Sequence, residues 1–372
     1  MFKNMKELTP AENIVLNVCR IKPQEKVLII ANPETYGIAK KIYDACNSSK
    51  AKVSLIIQES KTSFDNAEDA VLSAIKSEPD VCFSISEIKL GKDPYSAKTP
   101  LENSQGEKFT HIFDFLLEGK KSMRAVWTPG ITEDMFNRTV NIDYEELSNR
   151  CKKLEEIFDG VQSIHVTAKG GTDIFIPVQG RKLLKDDGNF SLPGTGGNIP
   201  AGEVFISPLR GISKDGTCTS GKIIFDGSMT FSDGDSILNT PIECTVVDGF
   251  VKDISGKEEA VRLLKTITEA ENRSFEYEKS GKIPSGMGKI YAENARNIGE
   301  LGIGLNPLAK ITGNMLEDEK AFSTCHFAIG ENYDNDAPSL IHLDGVVKNP
   351  TITLNFKNSS DVTIMKDGEF LV

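Results

Sequence analysis

Several common signatures are missing from this chain, and each absence removes a class of function. None of its seven cysteines stands at CxxC spacing from another, so neither a zinc ribbon nor a thioredoxin-like redox pair is expected. No GxGxxG follows a strand pattern, and GxxxxGK[ST] does not occur, which leaves dinucleotide and ATP binding without a motif. No apolar run approaches the ~20 residues that span a bilayer, and the first ten residues lack the apolar core of a signal peptide. Cytoplasm is the expected compartment, with no membrane partner. Basic residues are outnumbered, 43 Lys and Arg against 54 Asp and Glu, for a net charge of −11. That balance argues against a general nucleic-acid partner. Histidine is scarce, with four in 372 residues.

What remains is an ordinary soluble composition, 39% hydrophobic and 26% charged, in a chain long enough for two domains. Up to about residue 145 strand and helix patterns alternate. Thr9 and Pro10 open a helix as N-cap and first helical residue, and Lys26 to Ile30 is an apolar run of buried-strand type. Helical periodicity follows through Tyr36, Ile38, Ala39 and Ile42, with further strands at 51–57, 80–84 and 124–127 and helices at 66–76 and 109–117. This alternation predicts an α/β domain over 1–145 with a mostly parallel sheet. A helix over 143–158 leads into short strands broken by glycine, at 164–168, 173–179, 204–207, 221–226 and 242–247, interrupted by an amphipathic helix near 256–280. The expectation for 146–372 is therefore an α+β, largely antiparallel catalytic domain. The glycine-rich stretch 192–197 reads as a flexible connector.

The chemistry-bearing residues lie in four blocks of the second half. Glu203 enters a strand just after Gly202, and Glu300 is wedged among glycines and apolar residues in Ile298–Gly304. His326 follows Cys325, with Tyr333 seven positions on, and His342 and Asp344 stand two residues apart. In a strand, residues i and i+2 share a face, so this last pair can grip one cation. A buried unpaired carboxylate is costly. No lysine or arginine lies within three positions of Glu203 or Glu300, which points to a metal as their counter-charge. Cys325, beside His326, is a candidate nucleophile or soft ligand; the other cysteines sit mostly in apolar runs and read as reduced core residues.

The ordered combination of Gly-Glu-Val-Phe at 202–205, Glu-Leu-Gly at 300–302, Cys-His at 325–326 with Gly330 and Tyr333, and His-x-Asp at 342–344 resembles the thermophilic-metalloprotease aminopeptidases of the aminopeptidase T and S type. The resemblance covers most of residues 160–355. It implies Glu203, Glu300, His326, His342 and Asp344 as ligands of two divalent metal ions (zinc, cobalt, manganese or magnesium) and Tyr333 as a catalytic residue beside them. It also implies a homodimer whose N-terminal domain helps enclose the active site, and peptide substrates losing their N-terminal residue to a metal-activated water. The alternative is a ring-cleaving dihydroxypyridine dioxygenase, similar in architecture, with one iron held by His326, His342 and Asp344 as a two-histidine, one-carboxylate triad. A non-catalytic metal- or ligand-binding protein is the third reading.

Overall fold

A computed structural model describes residues 8–62, 65–91, 100–109, 111–213 and 216–372. The chain forms two compact units. One comprises Met1–Asn149 and Asp186–Ala201, the other Arg150–Lys185 and Gly202–Val372.

The first unit is built on parallel strands. Its opening helix, Pro10–Asn13, is closed by a reciprocal cap: the Thr9 hydroxyl accepts from the Glu12 amide, and the Glu12 carboxylate accepts from the Thr9 amide. Strands Lys26–Ala31, Lys52–Ile57, Val81–Ile85 and Arg124–Trp127 pair in parallel, and helix Tyr36–Ser48 buries Ile38, Ala39, Ile42, Ala45 and Cys46. Across the sheet the order is 52–57, 26–31, 81–85, 124–127 and finally Gly196–Asn198.

That last strand corrects the expectation of a flexible connector at 192–197. Gly196 and Gly197 pair in parallel with Ala125 and Val126, and a Cβ on Gly196 would meet the Ala125 carbonyl oxygen at 2.3 Å. Glycine is there because two backbones approach too closely for a side chain. Phe109, expected in a helix, instead ends the short strand Lys108–Phe109, and the helix occupies Ile112–Leu117.

Open parallel sheets take ligands where strand order reverses, at the carboxyl ends of the strands. Here that crevice, between 26–31 and 81–85, is bridged from within. Asn32 Nδ2 donates to the Gln58 carbonyl at 3.0 Å, Asn32 Oδ1 accepts from the Glu87 amide at 2.7 Å, and the Thr35 hydroxyl donates to the Ile85 carbonyl at 2.6 Å.

The second unit is antiparallel. One sheet of eight strands runs in the order 250–255, 242–247, 220–225, 173–177, 161–167, 351–356, 362–366, 369–370. The other has seven strands, six of them in the order Gly234–Ile237, Ser228–Phe231, His342–Lys348, Thr324–Gly330, Ile298–Gly304 and Glu203–Ile206, every neighbouring pair antiparallel. Helix Glu258–Lys279 buries Ala260, Leu263, Ile267 and Ala270. Among the described residues no helix is long and apolar enough to cross a membrane.

Candidate metal centre

Strand register puts the candidate ligands on one face. His326 pairs with Gly302 and Val346, Ala328 with Glu300 and Asp344, Gly330 with His342, and Glu203 with Gly304. Cross-strand partners project to the same side, as do residues two apart. Four neighbouring strands therefore contribute Glu203, Glu300, His326, His342 and Asp344 to a single patch. Its intervening positions are Gly302, Gly304, Ala328 and Gly330, so small residues leave room between the donors. A Cβ on Gly302 would lie 2.0 Å from His326 Nε2. Cys325, one residue out of phase, projects from the opposite face. Burial pushes its thiol far up, and it joins neither donor group, which removes it as nucleophile or ligand.

The donors form two groups, Glu203–Glu319–His326 and Glu300–His342–Asp344, each with its ligand atoms within 4.8 Å of one another. Glu300 joins them: Oε1 lies 3.2 Å from His326 Nε2 and Oε2 3.3 Å from His342 Nε2. His342 Nε2 is also 3.3 Å from Asp344 Oδ1, and its Nδ1 lies 2.9 Å from the Glu331 carbonyl. With Nδ1 donating to that carbonyl, Nε2 is the nitrogen turned to the carboxylates, the arrangement that orients a metal-ligating imidazole. Glu203 Oε2 and Asp344 Oδ1 are buried and lack a hydrogen-bond partner among the described residues. Orphaned carboxylate oxygens beside imidazole nitrogens are donors suited to a divalent cation, so the residues present fit a metal.

Two participants were invisible in the sequence. Glu319 lies within the charged run Glu317-Asp318-Glu319-Lys320, which reads as a solvated surface. Lys320, fully buried, donates from Nζ to Glu203 Oε1 at 2.9 Å and pairs with Glu319. The inference that Glu203 needs a metal for its counter-charge is thereby corrected: an ammonium supplies it from 117 residues away. Among the described residues no lysine or arginine pairs with Glu300, whose two oxygens face the two imidazoles.

Electrostatics follow from this crowding. Burial alone would depress the His326 imidazole, but Glu300, Glu203 and Asp344 outweigh it and raise the group to about 9. His342 is likewise carried well above its usual value against burial, chiefly by Asp344 and Glu300. Asp344 is drawn down to about 2 because His342 overcomes its desolvation. Glu319 rises to about 8 through burial and the charges of Glu203 and Asp344, only partly offset by Lys320. Tyr333 packs its ring 5.0 Å from Phe205 and 5.4 Å, edge-on, from His342, while remaining 54% exposed.

A ligating imidazole must be neutral. With His326 raised to about 9 and His342 also raised in the metal-free protein, uptake at pH 7 should release at least one proton, and affinity should climb as pH rises from 7 toward 9. Calorimetric cobalt titrations in buffers of different ionisation enthalpy read this directly. A heat independent of buffer would show that no protonated histidine is displaced.

This face of carboxylates and imidazoles gathers two groups of donors that could hold a metal ion. The chain belongs to the NicX family, 2,5-dihydroxypyridine 5,6-dioxygenase, whose model matches residues 123–371. Among solved structures it is similar to a 2,5-dihydroxypyridine dioxygenase from Pseudomonas putida KT2440, at 17% identity and a TM-score of 0.66 over 98% of this chain and 96% of that one. It is also similar to wild-type AmpT from Thermus thermophilus, at 14% identity and a TM-score of 0.63 over 98% of both. No curated protein matches the chain in sequence. The two likenesses show a common fold, an α/β sheet followed by antiparallel sheets. The family match favours the oxygenase as relative over the aminopeptidase.

Proposed function

We propose that this protein is a one-metal, non-haem iron oxygenase that opens a dihydroxylated aromatic ring of the dihydroxypyridine type. The observation that carries this reading is the Lys320 ammonium. It already pairs with Glu203 and Glu319, whereas Glu300 and Asp344 face the imidazoles of His326 and His342 and pair with no lysine or arginine among the described residues, so a metal that displaces the imidazole protons becomes their cation. Iron(II) held there would supply the redox centre at which dioxygen and the ring meet. The chain's own residues prepare that meeting. The Glu331 carbonyl fixes the His342 tautomer, and Phe205 and Tyr333 offer an aromatic wall for a planar ring. Glu319, raised to about 8 in the metal-free protein, carries its proton at neutral pH and is placed to act as a proton donor.

A second reading, hydrolysis of peptides at two metals, is favoured by one specific arrangement. Each donor group holds one histidine, and the two oxygens of Glu300 face different imidazoles. This is how a carboxylate bridging two ions would be placed.

Metal stoichiometry and substrate decide together. Chelator-stripped protein reloaded anaerobically with iron(II) should retain one equivalent, consume one dioxygen per 2,5-dihydroxypyridine, and bleach the ring's ultraviolet absorption. Glu300→Gln should lose both metal and turnover while staying folded. Two equivalents of zinc or cobalt with release of amino acids from aminoacyl anilides would replace this reading by the second.

A further inference from the structure

The strands that carry His326 and His342 are joined through residues 331–341, a connection far longer than the tight hairpin loops of about 2–5 residues. Turn geometry alone does not fix side chains along such a loop; anchors from outside must. Tyr333 lies in this loop, and with half of its ring in solvent its packing on Phe205 and His342 is a weak restraint.

The anchors are specific. Arg181, whose side chain is 11% exposed, reaches Asp334 Oδ1 from Nη1 at 3.2 Å and Asp336 Oδ2 from Nη2 at 2.7 Å. Nη2 also donates to the Pro208 carbonyl at 3.2 Å. The other oxygen of Asp336 accepts from Asn332 Nδ2 at 2.6 Å, and Asn332 Oδ1 accepts from the Ala337 amide at 3.2 Å. Tyr333 thus sits between two residues, Asn332 and Asp334, that belong to one guanidinium-centred network. A second tie, Asn294 Nδ2 to the Pro338 carbonyl at 2.9 Å, holds the far end of the loop, and Arg210 Nε holds Asn294 at 2.8 Å.

We propose that Arg181 is a positioning residue for the metal centre: by gripping Asp334 and Asp336 it sets the 331–341 loop so that Tyr333 stands against His342. The assignment rests on the reading that His342 and its neighbours hold the metal. Arginine suits the task because its rigid planar fork can engage two carboxylates at once, whereas a lysine ammonium is a single point charge on a flexible stem. Surface ion pairs in isolation contribute little. This one has a mostly buried guanidinium, and both its carboxylate partners lie within three residues of Tyr333.

The test reads Tyr333 relative to the metal without recourse to turnover. Protein labelled with 3-fluorotyrosine carries seven reporters, and Tyr333→Phe identifies the resonance of interest. Cobalt(II), added alone, should give Tyr333 the largest paramagnetic shift of the seven. In Arg181→Met that shift should fall by more than half with cobalt stoichiometry unchanged, and Arg181→Lys should fall between. Asp336→Asn, a milder cut in the same network, should move the resonance in the same direction should Arg181→Met fail to fold. A Tyr333 shift in these variants equal to that of the unaltered protein would overturn the clamp and leave the metal reading intact. Bound cobalt that fails to shift Tyr333 in the unaltered protein would overturn both.

Discussion

Replacing Gly302 by alanine is expected to empty the metal centre. The added methyl carbon would lie 2.0 Å from His326 Nε2 and 2.1 Å from Cε1, so one of the two must move. The strand backbone is held by pairing on both sides, to Glu203–Ile206 and to Thr324–Gly330. His326 is 1% exposed, so it cannot swing out into solvent. The imidazole is therefore driven from its contact with Glu300. Overpacking of this kind costs typically about 1–3 kcal/mol of stability, while a displacement near 1 Å in a reacting constellation lowers turnover by about 10²-fold. Gly302→Ala should thus unfold somewhat earlier than the parent, yet lose metal out of proportion to that change. Gly170→Ala, whose new carbon would meet nothing nearer than 3.6 Å, serves as the control. Metal content by elemental analysis, beside thermal unfolding, separates the two effects. Full metal occupancy in Gly302→Ala would mean that His326 is not a ligand.

The second large effect concerns Lys320. Changing it to methionine keeps most of the side-chain volume and removes the ammonium, leaving Glu203 and Glu319 buried without their cation. Breaking one partner of a buried ion pair costs about 3–5 kcal/mol, which for a unit of this size lowers the melting temperature by the order of 10 °C. The variant should also acquire something new. The group Glu203–Glu319–His326 would then have its histidine but no lysine, as Glu300–His342–Asp344 does, and excess zinc or cobalt should restore stability through ligand linkage. Stoichiometry should rise from one metal to two. A Lys320→Met protein as stable as the parent, still binding one equivalent, would show that the ammonium is not what limits the site.

How much of this was legible beforehand depended on the range of the interaction concerned. The strands at 26–31 and 81–85 announce themselves because interior parallel strands, buried on both faces, are almost continuously apolar, while 52–57, at the sheet edge, shows itself by its β-branched and apolar residues. The amphipathic helix over 258–279 shows its buried stripe in its own periodicity. The five residues Glu203, Glu300, His326, His342 and Asp344, singled out by chemistry and neighbouring glycines, do converge on one face. The strand at 196–198 was opaque because two adjacent glycines carry no side-chain pattern; a partner strand some seventy positions earlier makes them a strand. Lys320 and Glu319 hid inside a run of charge that looks solvated, and only tertiary burial turns Glu317, Asp318 and Lys320 into interior residues. Arg181 carries no local mark of the aspartates it grips. Residues whose role is set by a long-range partner are silent until the partner is placed.

The late arrival of strand Gly196–Asn198 also sets a schedule for biosynthesis. A ribosome that has finished residue 149 has made four strands of the parallel sheet, but Arg124–Trp127 still presents its outer row of amides and carbonyls to solvent. Roughly fifty more residues, including the first two strands of the other unit, must emerge before that edge is covered. At about 5–20 residues per second this is an interval of a few seconds in which the nascent sheet has an open, apolar border. The first unit therefore cannot be completed before part of the second has been made, and a fragment ending at Asn149 would carry that border permanently.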